Sequence, residues 1–233
     1  MAALFLSCNA EENKKPNAES DTPVKTQVSA PSFDADSAYA YVAQQVAFGP
    51  RVPNTPEHAA CASWLASELE RHGAEVTVQE GRVRAFDGTI LNVKNIVGTF
   101  HPESRDRILL FAHWDTRPFA DKDTVRLREP IDGANDGASG VGVLLEIARQ
   151  LGLESADVGV DIVFFDAEDY GRPEWLPAMQ DGYKTWCLGS QFWAENPHRF
   201  GYRARFGILL DMVGAGDAVF HQEGTSLRYA PHV

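Results

Sequence analysis

Apolar positions change rhythm along this chain, and each rhythm predicts an element. Tyr39, Val42, Ala43 and Val46 recur at helical spacing, as do Cys61, Trp64, Leu65 and Leu69, so two amphipathic helices flank the turn-rich stretch FGPRVPNTPEH. Thr55, followed by Pro56 at the first helical position, marks the start of the second helix, and Gly73 marks its end. EVTVQEGRVRAF and TILNVKNIVGTF alternate as half-buried strands, with Asp87-Gly88 between them as a hairpin turn. Three almost wholly apolar runs follow, ILLFAHW, VDIVFF and FGILLDMV, a pattern that predicts strands covered on both faces. Between the first two, Val141, Leu144, Leu145, Ala148 and Leu151 share one face of a helix. Strand, helix, strand in this order predicts a βαβ unit. The fold class is α/β, three-layered, with a mixed, mostly parallel sheet flanked by helices in one domain over residues 33–233.

Composition narrows the partners. A 233-residue chain that is 44% hydrophobic can bury a sizeable core. Its formal net charge of −12, with no long Lys/Arg run, excludes a nucleic acid or an anionic membrane surface held by charge alone. The three cysteines, Cys8, Cys61 and Cys187, are too few for a disulfide framework and lack metal-motif spacing. Cys61 and Cys187 read as small packing residues, with a bridge between them left open.

The first residues differ from the rest. MAALFLSC, residues 1–8, is apolar and ends in Leu-Ser-Cys, and it resembles a bacterial lipoprotein signal without the basic start of a secretory leader. Residues 9–32 have the composition of a disordered linker. The expectation is a lipid on Cys8 as the only membrane attachment and a place in the cell envelope or periplasm of a Gram-negative bacterium.

Each apolar strand ends in acid: His113 and Asp115 after the first, Asp166, Glu168 and Asp169 after the second, Asp211 in the third. Asp136 sits in GANDGASG, a glycine-rich turn just before the long helix. In open α/β sheets ligands bind beyond the carboxyl ends of the strands, so these acids converge on one crevice. Two carboxylates ~4 Å apart repel by about 4 kcal/mol near a protein surface, and something positive must offset several such pairs. Arg117, Lys122 and Arg172 lie in loops, and a divalent metal is the economical alternative. With His113 nearby, zinc suits the donor set better than calcium or magnesium. His58, His72, His101 and His198, in polar or helix-end contexts, read as surface residues.

FGPRVPNTPEH, HWDTRPFADKD, GANDGASGVGVLLEIAR, FFDAEDYG, WCLGSQFWAEN and LLDMVGAGDAVF together resemble a bacterial glutaminyl cyclase, from a family that shares its fold with zinc aminopeptidases. The resemblance runs from about residue 37 onward. It implies Asp136 and Asp169 as Zn2+ ligands, Glu168 as general base and acid, and Asp211 as the holder of the substrate's α-amino group. Trp175 falls near the position of a pocket aromatic, whereas Trp114, Trp186 and Trp193 have an equal claim to be core or rim residues. The implied substrates are peptides and proteins with N-terminal glutamine, converted to pyroglutamate with release of ammonia.

Two positions depart from the family pattern. Asp169 stands where most aminopeptidase relatives have Glu. The third zinc ligand, a His nearer the family's C-terminus, has no counterpart in His221 or His232, so the expectation is a C-terminally truncated chain with weak zinc binding and an exposed sheet edge. Two other functions stay open. One is a zinc aminopeptidase of the same fold, since His113, Asp136, Asp169 and Asp211 could serve two metals as readily as one. The other is a binding module that kept the fold without the chemistry.

Overall fold

The computed structural model describes residues 30–154, 156–177 and 185–233. The expected lipoprotein segment with Cys8, and residues 9–29 of the expected linker, lie outside the described residues. Helix α1 spans Ala35–Ala47 behind Asp34, whose side chain accepts from the Asp36 and Ser37 N–H groups. Helix α2 spans Pro56–Arg71 behind Thr55, which accepts from the His58 N–H. Strands β1 (Glu75–Arg84) and β2 (Ile90–Phe100) form the expected hairpin, with Gly88 at φ +88° in its turn. Strand β3 (Arg107–His113), helix α3 (Ala138–Leu153) and strand β4 (Gly159–Phe165) make the βαβ unit. Helix α4 (Leu188–Glu195), strand β5 (Gly207–Leu209) and helix α5 (Gly224–Tyr229) follow.

The sheet order is β1-β2-β4-β3-β5. β3, β4 and β5 run parallel, and β1 shares their direction because both β1 and β4 are antiparallel to β2. Only β2 opposes the others, so the sheet is mixed and mostly parallel. Alternate residues of β4 face opposite layers. Ile162 and Phe164 pack with Leu65 and Leu69 of α2 and Leu144 and Leu145 of α3. Val163 and Phe165 join Val97 and Trp193, the latter from α4. The α1 helix lies close over α3, where a Cβ on Gly142 would come within 2.8 Å of the Ala38 carbonyl.

The end of the sheet where β3 and β4 begin is closed by one side chain. Arg107, only 3% exposed, donates to Asp161 from Nε (2.7 Å) and Nη2 (2.8 Å), and to the carbonyls of Phe100, His101 and Ser104. Asp161 also accepts from Thr99 Oγ1 and the Tyr202 hydroxyl, so the buried pair is fully hydrogen-bonded.

Two expectations need correction. FGILLDMV is not a strand covered on both faces. Only Gly207–Leu209 pair, at the sheet edge, and Ile208 and Leu209 are 40% and 50% exposed. An apolar run records a tendency to be covered, not the neighbour that covers it. His58 and His72 are not on the surface; they are 2% and 7% exposed. Spacing with Cys61, Leu65 and Leu69 puts His58 on the buried stripe of α2, and His72 caps the end of that helix, where its ring meets the Tyr41 hydroxyl at 2.9 Å. Cys61 and Cys187 are both free thiols, and burial pushes the Cys61 thiol up to about 12.

Candidate active site

Register places the site. His113 pairs with Phe165 across β3 and β4, and the ladder continues through the Trp114 N–H to the Phe165 carbonyl. Asp115 therefore lies beside the turn that follows β4, Asp166 to Asp169. Ala167 in that turn has φ +51°, a left-handed conformation that a residue with a Cβ adopts only under constraint.

The constraint is complete. The N–H groups of residues 166 to 169 are accepted in turn by Asn95 Oδ1, Asp166 Oδ1, Asp115 Oδ1 and Asp115 Oδ2, at 2.7–3.1 Å. The carbonyls of Asp166, Ala167 and Glu168 accept from the N–H groups of Gly189, Leu188 and Cys187 at the start of α4, and the Asp169 carbonyl accepts from Arg117 Nη1 at 3.1 Å. Arg117 is itself held by Asp121, with Nε 2.7 Å from Oδ1, and lies over the Trp186 ring. Every main-chain polar group of the turn is thereby fixed, and with it the directions in which Glu168 and Asp169 leave the backbone.

Asp136 and Asp211 arrive from the other side. Buried Arg51 donates to the Asp132 and Gly133 carbonyls, fixing the loop that carries Asp136. Gly137 follows at φ +93°, where a Cβ would sit 2.7 Å from the Asp115 carbonyl, so only glycine fits. The segment after β5 is tied to the same loop: Val213 N–H donates to Ser139 Oγ (3.0 Å) and Gly214 N–H to Asn135 Oδ1 (2.8 Å).

His113 is the hub of the cluster. Its Nε2 is 3.0 Å from Asp136 Oδ1 and 3.6 Å from Asp211 Oδ1, while Nδ1 is 3.5 Å from Asp115 Oδ1. Burial disfavours charge on this ring, but Asp115, Asp136 and Asp211 outweigh it and hold its pKa well above the usual value. Burial, aided by Asp115, Asp211 and Asp136 and opposed by His113, pushes the Glu168 carboxyl up to about 7. Asp169 rises to about 7 as well, through burial first and Asp115 next. Asp136 goes the other way, lowered by its hydrogen bond with His113. Carboxyls of opposite tendency side by side are what acid–base chemistry at neutral pH requires.

A dication fits here. Ligand atoms of His113, Asp136 and Asp169 lie within 4.8 Å of one another, as do those of His113, Glu168 and Asp211. Among the described residues Asp169 Oδ2 is buried without a hydrogen-bond partner, a lone pair that a bound cation would satisfy. Nitrogen and carboxylate oxygen are donors that zinc accepts.

The Peptidase_M28 family model, peptidase family M28, matches residues 95–229, a span that contains every residue of this cluster. The chain belongs to peptidase family M28. Among solved M28-like structures, Bacteroides thetaiotaomicron glutaminyl cyclase bound to N-acetylhistamine is 57% identical, with a TM-score of 0.85, over 87% of this chain and 70% of that one. Tannerella forsythia glutaminyl cyclase is 60% identical (TM-score 0.83; 86% and 69% covered). A Zn-dependent exopeptidase from Parabacteroides distasonis is 58% identical (TM-score 0.84; 87% and 70% covered). The chain spans 31% of YfbL, an uncharacterized protein of Escherichia coli, at 36% identity, and 24% of the aminopeptidase YwaD of Bacillus subtilis, at 28% identity.

Of the residues singled out in the sequence, the M28 fold brings Asp136, Glu168, Asp169 and Asp211 together around His113. Trp175 is 39% exposed, with its ring against Phe119 (5.5 Å between centroids) and under the Arg128 guanidinium. Sequence reading missed the tasks of Asn95 and Arg117, whose partners lie far along the chain.

Proposed function

We propose that this chain carries the catalytic groups of a zinc-assisted glutaminyl-peptide cyclotransferase, converting N-terminal glutamine to pyroglutamate and ammonia. The observation that carries the reading is Glu168, a half-buried carboxyl raised to about 7 and fixed beside Asp136, Asp169 and Asp211, in a chain whose neighbours at 57% and 60% identity are glutaminyl cyclases. Asp136 and Asp169, with the His113 imidazole, would hold the zinc, which when bound supplies polarisation of the side-chain amide carbonyl. In the reaction the α-amine forms a bond to the side-chain amide carbon and the bond from that carbon to the amide nitrogen breaks. Glu168 takes a proton from the attacking amine and passes it to the departing nitrogen, which leaves as ammonia. A carboxyl near neutrality can do both. Asp211, 38% exposed at its side chain and so open to a ligand, holds the amine and brings a flexible glutamine near its attacking geometry.

A second reading, a zinc aminopeptidase, has one observation in its favour: two ligand trios share His113 and would suit two metals. Incubating the protein with a glutaminyl peptide and with aminoacyl anilides separates the two. Ammonia release without chain shortening is expected; liberation of a free N-terminal residue would replace the first reading with the second.

The cellular setting belongs to the same proposal. Peptides and proteins with N-terminal glutamine are the substrates, and lipid on Cys8 places the protein in the bacterial cell envelope or periplasm. The LFLSC sequence supports this. Mass spectrometry of the mature N-terminus should find a diacylated or triacylated Cys8, and an unmodified Met1 would refute it.

A further inference from the structure

We propose that His58 is a positioning residue, acting through Asp166 to set the direction of Glu168; as a statement about catalysis it rests on the function proposed above. His58 and Asp166 are 2% and 0% exposed, beneath the crevice, and no step of the reaction uses them. His58 Nε2 lies 2.9 Å from both Asp166 carboxylate oxygens, so the imidazole spans the mouth of the carboxylate. The same carboxylate accepts from the Lys94 N–H through Oδ2 (2.7 Å) and from the Ala167 N–H through Oδ1 (2.7 Å). The last bond orients the peptide entering Ala167, the residue at φ +51° that immediately precedes Glu168.

His58 is itself fixed on every side that matters. Its backbone N–H is capped by Thr55 at the start of α2, and its ring stacks on Trp114 with 4.4 Å between centroids. Trp114 Nε1 donates to the Lys94 carbonyl (3.1 Å). The route from α2 to Glu168 thus runs through atoms in contact: imidazole, carboxylate, Ala167 N–H, strained turn. Among the described residues the imidazole is the one side-chain donor to this carboxylate, and losing it would leave a buried carboxylate held by two main-chain N–H groups alone, with less to hold the turn behind it.

The test compares His58→Ala with His58→Gln in the full chain. Gln reaches its Nε2 through the same number of bonds from Cα as His and keeps an N–H donor. H58A should lower kcat for a glutaminyl peptide about 10-fold with KM within about two-fold, and H58Q should restore most of it. In substrate-free protein, hydrogen exchange of the Ala167, Glu168 and Asp169 amides should rise in H58A about 10-fold, unchanged in H58Q, while α3 and the interior of β4 keep wild-type protection. Unchanged exchange in the turn, a rise spread equally over α3 and β4, or equal behaviour of the two variants would overturn the proposal. If H58A does not fold, His58→Leu fills the space without a donor and takes its place. A wild-type protein that releases no ammonia would sink the cyclase reading, while the exchange comparison would still decide whether His58 governs the turn.

Discussion

At the scale of single residues the site depends on carboxyls whose affinities for protons have been pulled apart. On the proposed function Glu168→Gln keeps the shape and removes the proposed base, so kcat should fall by roughly 10²–10⁴ with little change in KM, measured as ammonia release. Loss confined to KM would mean that Glu168 only binds. The raised carboxyls also predict a pH-dependent stability. Glu168 and Asp169 move from 4.5 and 3.8 to about 7 on folding, so folded protein holds these protons more tightly than unfolded protein. Their contribution is fully present below the unfolded values and is lost as pH rises through about 7. In a chelator, Tm should be higher near about pH 5 than near about pH 8, and a flat or rising profile would contradict this. These acids were legible in the sequence because each closes an apolar run. What Asp115 does was not, since its two bonds go to main-chain N–H groups 53 and 54 residues away.

At the scale of elements, α4 serves the site with its backbone. Three successive N–H groups at its start hold the turn from Asp166 to Asp169, and Gly189 is there because a Cβ would overlap the Asp166 carbonyl. Gly189→Ala should therefore push α4 away from the turn, costing about 2 kcal/mol in urea unfolding and lowering kcat as well. Wild-type stability in this variant would mean that the helix yields freely. The hairpin, βαβ unit and first two helices could be read from apolar rhythm, since each owes its form to local spacing. WCLGSQFWAEN did not announce a helix. Its start is set by Cys187 at φ 53° and by bonds to a distant turn, which are tertiary facts. For the same reason β5 was overestimated.

At the scale of the whole described fold, β5 forms one edge of the sheet. Ile208, Leu209 and Met212 are 40–53% exposed beside unpaired strand groups, an arrangement that invites pairing with a second chain. Sedimentation should show self-association that grows with protein concentration and weakens in Ile208→Lys; a monomer at all concentrations would count against an adhesive edge. Mutual repulsion from a net charge of −12 should make the association stronger in high salt.

Among the described residues, the loop from Asp166 to Asp169 is gripped through its main chain and by side chains other than those of Glu168 and Asp169. Those two side chains are consequently free to vary without the support noticing. A scaffold of this kind can exchange one carboxylate for a longer, shorter or neutral one and so try a new reaction at small structural risk. That freedom gives a physical reason why proteins of such similar architecture are described as cyclases in some bacteria and exopeptidases in others.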